Sequence, residues 1–482
     1  MKIQNKVNRG HSMNMPDAEA FLCGICDLHS LEKIALTAFY GGHRGELFLE
    51  YKEDEILKIE DGIAQAPGFN FKRGFGLRSF KDDVSRYSYS SSLESSAVKK
   101  AVTTLGCGEN SSHVHLQENI HDLYDKGRFI NTETLENKIK FLRAMESYAR
   151  SRSQNIRQVS VSLFSSWQVV GVVADNGCKS YDIRPLLRLS ISIVVEKNGN
   201  MESGAYSSGG RYGYEFLLNE DVGRQHVDEA LRQAMVKMQA VKAPAGEMPV
   251  VLGNSWTGIL LHEAIGHGLE GDAIRKKTSS FHNLLGEVIA APDVTVVDDG
   301  TIAQRRGSIN IDDEGTASQR TVLIENGKLV GVMQDRMNAA LLKSESTGNG
   351  RRESYEHMPL PRMTNTFMAN GNYSFDEIVS RVKSGVFAKS FADGQVDIAS
   401  GKFVFSASEA YLIKNGKIST PLKGAMLIGD GPSILKKISM VGGDFSLDPG
   451  IGTCGKDGQW VPVGVGEPSV LIDKITVGGA IL

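Results

Sequence analysis

The apolar periodicity of this chain breaks once, and that break constrains its fold more than any other feature. At Val241-Lys-Ala-Pro-Ala-Gly-Glu-Met-Pro the repeating pattern stops, and proline and glycine appear. With 482 residues the chain exceeds what one ordinary core serves, since domains cluster near ~100–150 residues and cores stop growing at about 250–300. The break therefore predicts two domains, 1–243 and 244–482.

The two halves carry different patterns. Upstream, apolar residues recur at three- and four-residue steps over roughly 93–105, 133–151 and 222–241, which predicts helices. Alternating runs lie between them: Val159-Ser-Val-Ser-Leu-Phe, Gln168-Val-Val-Gly-Val-Val and Leu187-Arg-Leu-Ser-Ile-Ser-Ile-Val-Val. The last places Leu187, Leu189, Ile191 and Ile193 on one face, as in a half-buried strand. Downstream, Leu323-Ile-Glu-Asn-Gly-Lys-Leu-Val and Leu412-Ile-Lys-Asn-Gly-Lys-Ile set Asn-Gly between extended apolar runs, predicting two hairpins. The expected class is α+β: a mixed α/β amino-terminal domain, then a strand-rich carboxy-terminal domain, barrel-like or a curved sheet, carrying one informative helix.

Composition removes several functional classes. Hydrophobic residues at 41% and charged residues at 23% are ordinary for a globular protein. A net charge of −3 offers no electrostatic basis for binding nucleic acid or an acidic membrane surface. No window approaches the ~18 uninterrupted apolar residues of a membrane span. The opening Met1-Lys-Ile-Gln-Asn-Lys-Val-Asn-Arg lacks the apolar core of a signal peptide. Five cysteines (Cys23, Cys26, Cys107, Cys178 and Cys454) form an odd, scattered set that fits a reducing compartment, so a cytoplasmic location is expected.

The chemistry concentrates in Ser255-Trp-Thr-Gly-Ile-Leu-Leu-His-Glu-Ala-Ile-Gly-His-Gly-Leu-Glu-Gly-Asp. A zinc peptidase needs two imidazoles on one face and a carboxylate beside the first to work on water. Here the spacing is His262-Glu263-x-x-x-His267 rather than the common His-Glu-x-x-His. At 100° per residue a five-residue step turns the second ring about 140° from the first. Both reach one ion only if the helix widens to a π turn or unwinds near His267. Gly266 and Gly268, which flank it, make either distortion cheap.

For a third ligand, Glu270, Asp272, His282, His357 and the distant Cys454 are all available. Cys454 lies in Asp448-Pro-Gly-Ile-Gly-Thr-Cys-Gly-Lys-Asp-Gly-Gln, read as a glycine-dense loop. Its Gly450-x-Gly452-x-x-Gly455 imitates a dinucleotide fingerprint. That motif needs a strand before and a helix after it, whereas Asp448-Pro449 precedes and Asp457-Gly458 follows, so nucleotide binding is rejected.

Several segments, read together, resemble the TldD/PmbA family of bacterial and archaeal metalloproteases. They are Leu261-His-Glu-Ala-Ile-Gly-His-Gly-Leu-Glu-Gly-Asp, Ile311-Asp-Asp-Glu-Gly-Thr, Thr347-Gly-Asn-Gly-Arg-Arg-Glu-Ser-Tyr, Pro361-Arg-Met-Thr-Asn-Thr and Gly452-Thr-Cys-Gly-Lys-Asp-Gly-Gln. The resemblance implies that His262, His267 and Cys454 bind Zn2+ and that Glu263 is the general base. All four positions are intact, which implies the zinc-bearing subunit type. It also implies unfolded or flexible peptides as substrates, held in extended form. The implied assembly is a dimer, with a TldE (PmbA)-like paralogue or as a homodimer.

Three further readings complete the set. Arg351 and Arg352 are candidates for steering or clamping substrate carbonyls or carboxylates. Asp312, Asp313 and Glu314 are candidates for orienting a ligand histidine or for capping a turn. Two other functions share the same residues: a cysteine peptidase with Cys454 as nucleophile, and a non-catalytic peptide-binding or scaffold subunit.

Overall fold

Long antiparallel strands dominate the amino-terminal half because its alternating runs are continuous over many residues. In this computed structural model, which describes residues 17–106, 115–116 and 120–479, they are β1 (Arg44–Glu60), β2 (Gly68–Lys81), β3 (Val84–Ser90), β4 (Ile156–Ala174), β5 (Cys178–Lys197) and β6 (Asn200–Gly210). The opening segment 1–9 and Cys107 lie outside the described residues. The strands pair in the order β3-β2-β1-β4-β5-β6. The two runs at 159–164 and 168–173 belong to one strand, β4, whose pairing with β5 is regular from Gln158 to Val173.

The buried face of β5 carries Leu187, Leu189, Ile191 and Ile193, each no more than 1% exposed. The helix Glu220–Met238 covers β5 and β6, and the helix Leu135–Arg152 packs on β4 and on that helix. Both start where a polar side chain satisfies free amides: Thr134 Oγ1 accepts from the Asn137 N–H (3.2 Å), and Asn219 Oδ1 from Asp221 (2.9 Å). The expected helices at 133–151 and 222–241 thus appear within a few residues of their expected bounds.

The carboxy-terminal half contains a closed barrel. Gly246–Leu252, Ser384–Val396, Lys402–Lys414, Met426–Asp430 and Val470–Gly478 pair in a ring, because Lys402–Lys414 bonds both Ser384–Val396 and Met426–Asp430. Closure removes the free edges an open sheet would expose. Both Asn-Gly hairpins form, with Asn326 and Gly327 at φ 48° and 83° and Asn415 and Gly416 at 49° and 73°. Those left-handed pairs are what a two-residue hairpin turn requires. Beside the barrel runs a six-stranded sheet that includes Val296–Asp299, Asn365–Met368 and Gly464–Glu467.

Buried ions stitch the halves together. Arg352 Nη2 donates to Glu46 Oε1 (2.7 Å), Arg184 Nη1 to Asp313 Oδ1 (2.6 Å), and Arg78 bridges Glu46 and Glu314. Truncating one partner of such a pair leaves a buried charge uncompensated, at a cost of about 3–5 kcal/mol. No helix among the described residues is long and apolar enough to cross a membrane.

Candidate metal centre

The segment Ser255–Leu269 does not run as one regular helix. A 3₁₀ turn (Ser255–Gly258) leads into a short α turn (Ile259–Leu261), a π turn (His262–Gly266) and a second 3₁₀ turn (His267–Leu269). The His267 N–H donates to the His262 carbonyl, the i→i+5 bond of a π turn, so both rings come to one side. Of the two distortions that the spacing allows, the π turn is the one that links the histidines. Gly266 contributes room rather than unusual backbone: its φ is −56°, and a Cβ there would lie 2.1 Å from Met363 Sδ.

The third member arrives from 187 residues away. The stretch read as a loop is a hairpin, Thr453–Lys456 paired with Gln459–Pro462 around Asp457 and Gly458 at φ 49° and 74°. It presents Cys454 inward. The ligating atoms of His262, His267 and Cys454 all lie within 4.8 Å of one another, and all three residues are buried. Cys454 Sγ is 3.4 Å from His267 Nε2, and the two imidazole rings stand 5.1 Å apart at 84°. The other candidates are engaged elsewhere. His282 meets the Ser279 carbonyl (2.7 Å), His357 the Ser354 hydroxyl (3.0 Å), and Asp272 accepts from Lys456 Nζ (2.7 Å).

These residues fit a divalent ion. Both ring nitrogens of His262 are buried with no hydrogen-bond partner, a costly condition for an imidazole unless something else binds it. Two nitrogens and a sulfur form a donor set suited to a borderline-soft metal with one position left open. Burial pushes the Cys454 thiol up, but His262 and His267 beside it outweigh that and hold it well below its ordinary value. Burial likewise opposes protonation of His267, yet Glu270 and Cys454 raise it well above the usual range. The two shifts favour a thiolate beside a charged imidazole; binding an ion at these atoms would release the imidazole's proton.

Glu270 takes the role considered for Asp312, Asp313 and Glu314. Its Oε2 accepts from His267 Nδ1 (3.1 Å), and Lys456 Nζ lies 2.9 Å from the same oxygen. Burial works to raise Glu270, but Lys456 and His267 bring it down to about 2. This fixes which ring nitrogen of His267 faces Cys454. Asp312 instead caps a turn, accepting from the Glu314 (2.9 Å) and Thr316 (2.8 Å) amides, while Asp313 and Glu314 join the interface ions. Lys456 had a readable signal: two residues from Cys454 in one strand, it points to the same face.

Glu263 is the exposed member, its side chain 24% accessible and Oε2 3.8 Å from His267 Nε2. That distance is too long for a hydrogen bond but within ion-pair reach, so the carboxylate stands beside the cluster and faces His267. Arg351 and Arg352 do not join the metal cluster; both are buried, with their donors turned to nearby oxygens. Arg351 donates to the Met363 (2.5 Å) and Pro462 (2.7 Å) carbonyls, and Arg352 is held by Glu46 and the Asp313 carbonyl (2.9 Å). Burial explains this: a guanidinium away from water spends its donors on whatever oxygens surround it.

Family models for the PmbA/TldA metallopeptidase match residues 45–105 (domain 1), 130–238 (central domain) and 245–479 (C-terminal domain). The Metalloprotease TldD homolog of Haemophilus influenzae is 46% identical over 445 residues, spanning 90% of this chain and 92% of that protein. The Zinc metalloprotease TldD homolog of Saccharolobus solfataricus is 29% identical over 368 residues, covering 74% of this chain and 80% of the relative. Among solved structures, TldE from Thermococcus kodakarensis superposes with a TM-score of 0.73 at 20% identity, covering 94% of this chain and all (100%) of that one, a likeness of fold.

Proposed function

Because the chain belongs to the PmbA/TldD family of metallopeptidases, we propose that it is a zinc-dependent peptidase acting on unfolded or flexible peptides held in extended form. The observation that carries the reading is the convergence of His262, His267 and Cys454, with both nitrogens of His262 unpartnered, beside the carboxylate of Glu263. When bound, zinc supplies a Lewis acid that brings the pKa of a water in its open position down to about 7.

The chain's own residues do the rest. His262 and His267 present ring nitrogens, and Cys454 presents a thiolate that both histidines stabilise. Glu270, itself anchored by Lys456, keeps the His267 ring in one orientation. Glu263 accepts a proton from the attacking water and returns it to the departing amine nitrogen, a role worth roughly 10²–10⁴-fold in rate. Residues 1–243 and 244–482 serve as two working units, the second bearing the site. We place the protein in the cytoplasm, as a dimer with a TldE (PmbA)-like paralogue or with itself.

A cysteine-nucleophile reading would use the Cys454–His267 pair, 3.4 Å apart. That both imidazoles converge on the Cys454 sulfur within 4.8 Å favours a ligand set over a single nucleophile–base pair. Metal analysis of protein purified without chelator, in parallel with Cys454→Ser, tests the proposal. One zinc per chain, lost in the variant, with peptidase activity abolished by chelator, is the expected result. A metal-free wild type that hydrolyses peptides and is inactivated by alkylation overturns it.

A further inference from the structure

A second buried polar site lies on the opposite side of the Cys454 hairpin. A cavity of about 280 Å³ opens between the halves of the chain. Its lining includes Arg184 and Arg211 from the first half and Arg306, Arg351 and Arg352 from the second. Thr453 also lines it, the strand neighbour of Cys454, so one hairpin separates this cavity from the metal cluster.

The arginines divide by partner. Arg184 is paired with Asp182 (3.1 Å) and Asp313 (2.6 Å), and Arg352 with Glu46 (2.7 Å). Arg211, Arg306 and Arg351 have no carboxylate partner among the described residues. The Arg211 side chain donates to the Pro185 carbonyl at 3.3 Å and lies over the Tyr124 ring, 5.5 Å from its centroid. Arg306 reaches the Gly452 carbonyl (2.6 Å) and Thr453 Oγ1 (3.1 Å), and Arg351 reaches the two carbonyls given above. All three are at least 94% buried, at 4%, 6% and 3% exposure, and Arg211 Nε and Arg306 Nη1 have no partner at all.

Burial lowers all three guanidinium pKa values, with neighbouring arginines adding to the effect: Arg306 to about 10, Arg351 to about 9, and Arg211 downward. Of the carboxylates lining the cavity, Asp313 already serves Arg184 and Arg352, and Glu353 accepts from the Trp460 N–H (2.8 Å). Asp313, Asp182 and Asp448 act on these cations from beyond ion-pair distance. Three buried guanidinium groups facing one space without a direct carboxylate partner are costly to hold unless an anion joins them. Guanidinium donors suit planar or tetrahedral oxyanions.

We propose that this cavity is an oxyanion site, built to take a carboxylate or phosphate group between Arg211, Arg306 and Arg351. The group is either a free anion or the terminal carboxylate of a bound peptide. An occupant would tie the two halves together, because Arg211 comes from one and Arg306 and Arg351 from the other.

The test is binding of inorganic phosphate to the full chain at constant ionic strength, followed by thermal unfolding and by calorimetry. A saturable stabilisation is expected in wild type. It should be weakened roughly tenfold or more in Arg211→Met and in Arg306→Met, since each removes one charge-assisted bond. Arg306→Met also removes the bonds to the Gly452 carbonyl and Thr453 hydroxyl beside Cys454, so the fold control is Arg211→Met. Arg211 reaches one carbonyl at 3.3 Å, and without phosphate the variant should unfold at or above the wild-type temperature because a buried repulsion is gone. That sign separates loss of a site from loss of fold. No saturable response in wild type, or an unchanged response in both variants, overturns the proposal.

The source of the anion is read separately, by hydrolysis of a free-acid peptide and its carboxy-terminal amide. Competitive inhibition by phosphate with a raised KM for the amide assigns the peptide's carboxylate. Phosphate stabilisation with equal KM values assigns a free anion. The binding arm needs no turnover, so its failure is distinct from failure of the peptidase reading.

Discussion

The sheet β1–β6 and the segment Ser255–Leu269 solve the burial problem in opposite ways. In the sheet every second residue faces the core, and a run such as Leu187, Leu189, Ile191 and Ile193 repeats one role along one face. In Ser255–Leu269 hardly any role repeats. The backbone changes its hydrogen-bonding step three times in fifteen residues, and its polar side chains range from the bonded Ser255 and Thr257 to the unpartnered His262. The difference teaches where chemistry sits in this molecule: regular periods supply stability, and a local departure from the period supplies the site.

That contrast is broken most forcefully at Glu263. Glu263→Gln should cut peptide hydrolysis by roughly 10²–10⁴-fold while bound metal and unfolding temperature stay at wild-type values. Activity within a few-fold of wild type would remove Glu263 from the chemistry. The converse change lies in the sheet. Leu189→Ala, at a fully buried position, should cost about 2–5 kcal/mol of stability, read as a shift in denaturant midpoint. Its metal content per folded chain should not change. Loss of metal with Leu189→Ala would mean that the two regions are not separable.

The same contrast explains what was legible beforehand. The strands, the two Asn-Gly hairpins and the three helices Ser95–Leu105, Leu135–Arg152 and Glu220–Met238 were readable because each rests on a pattern within about twenty residues. The π turn was legible as one of two geometric options forced by the His262 to His267 spacing. The hairpin around Asp457 and Gly458 carried its signal openly, but the surrounding glycines masked it as a loop, and Lys456 was missed with it. The clamping role of Arg351 and Arg352 was legible as a candidate; their burial was not, because it comes from the approach of Glu46, Asp313 and Pro462. Pairings across hundreds of residues leave no local trace.

A smaller effect sharpens the contrast inside the site. Glu270 ligates nothing, but it anchors His267 and is itself held by Lys456. Glu270→Gln should weaken metal affinity by about 10–100-fold, measured by competition with a chelating dye, with modest change in fold stability. An unchanged affinity would show that His267 keeps its orientation without a charged partner, from the packing of the π turn alone.

The smallest expected effect concerns the contact between the two kinds of structure. Arg232, on the helix Glu220–Met238 that covers the sheet, grips Glu409 of the barrel through two bonds (2.9 and 2.6 Å). Burial works to raise Glu409, but hydrogen bonds from Arg232 and Tyr411 and the charge of Lys389 bring it down to about 2. A folded value below the unfolded value of about 4.3 means that the ionised pair stabilises the fold above pH ~4.3. That contribution is lost as pH falls toward 2. Because Arg232 is 35% exposed, solvent limits the contribution to the order of 1 kcal/mol. Glu409→Gln should therefore unfold slightly earlier than wild type at pH 7, and the gap should close between pH ~4.5 and 2. A gap that persists to pH 2 would assign the difference to lost packing rather than to the ion pair, and the helix would then dock on the barrel by shape alone.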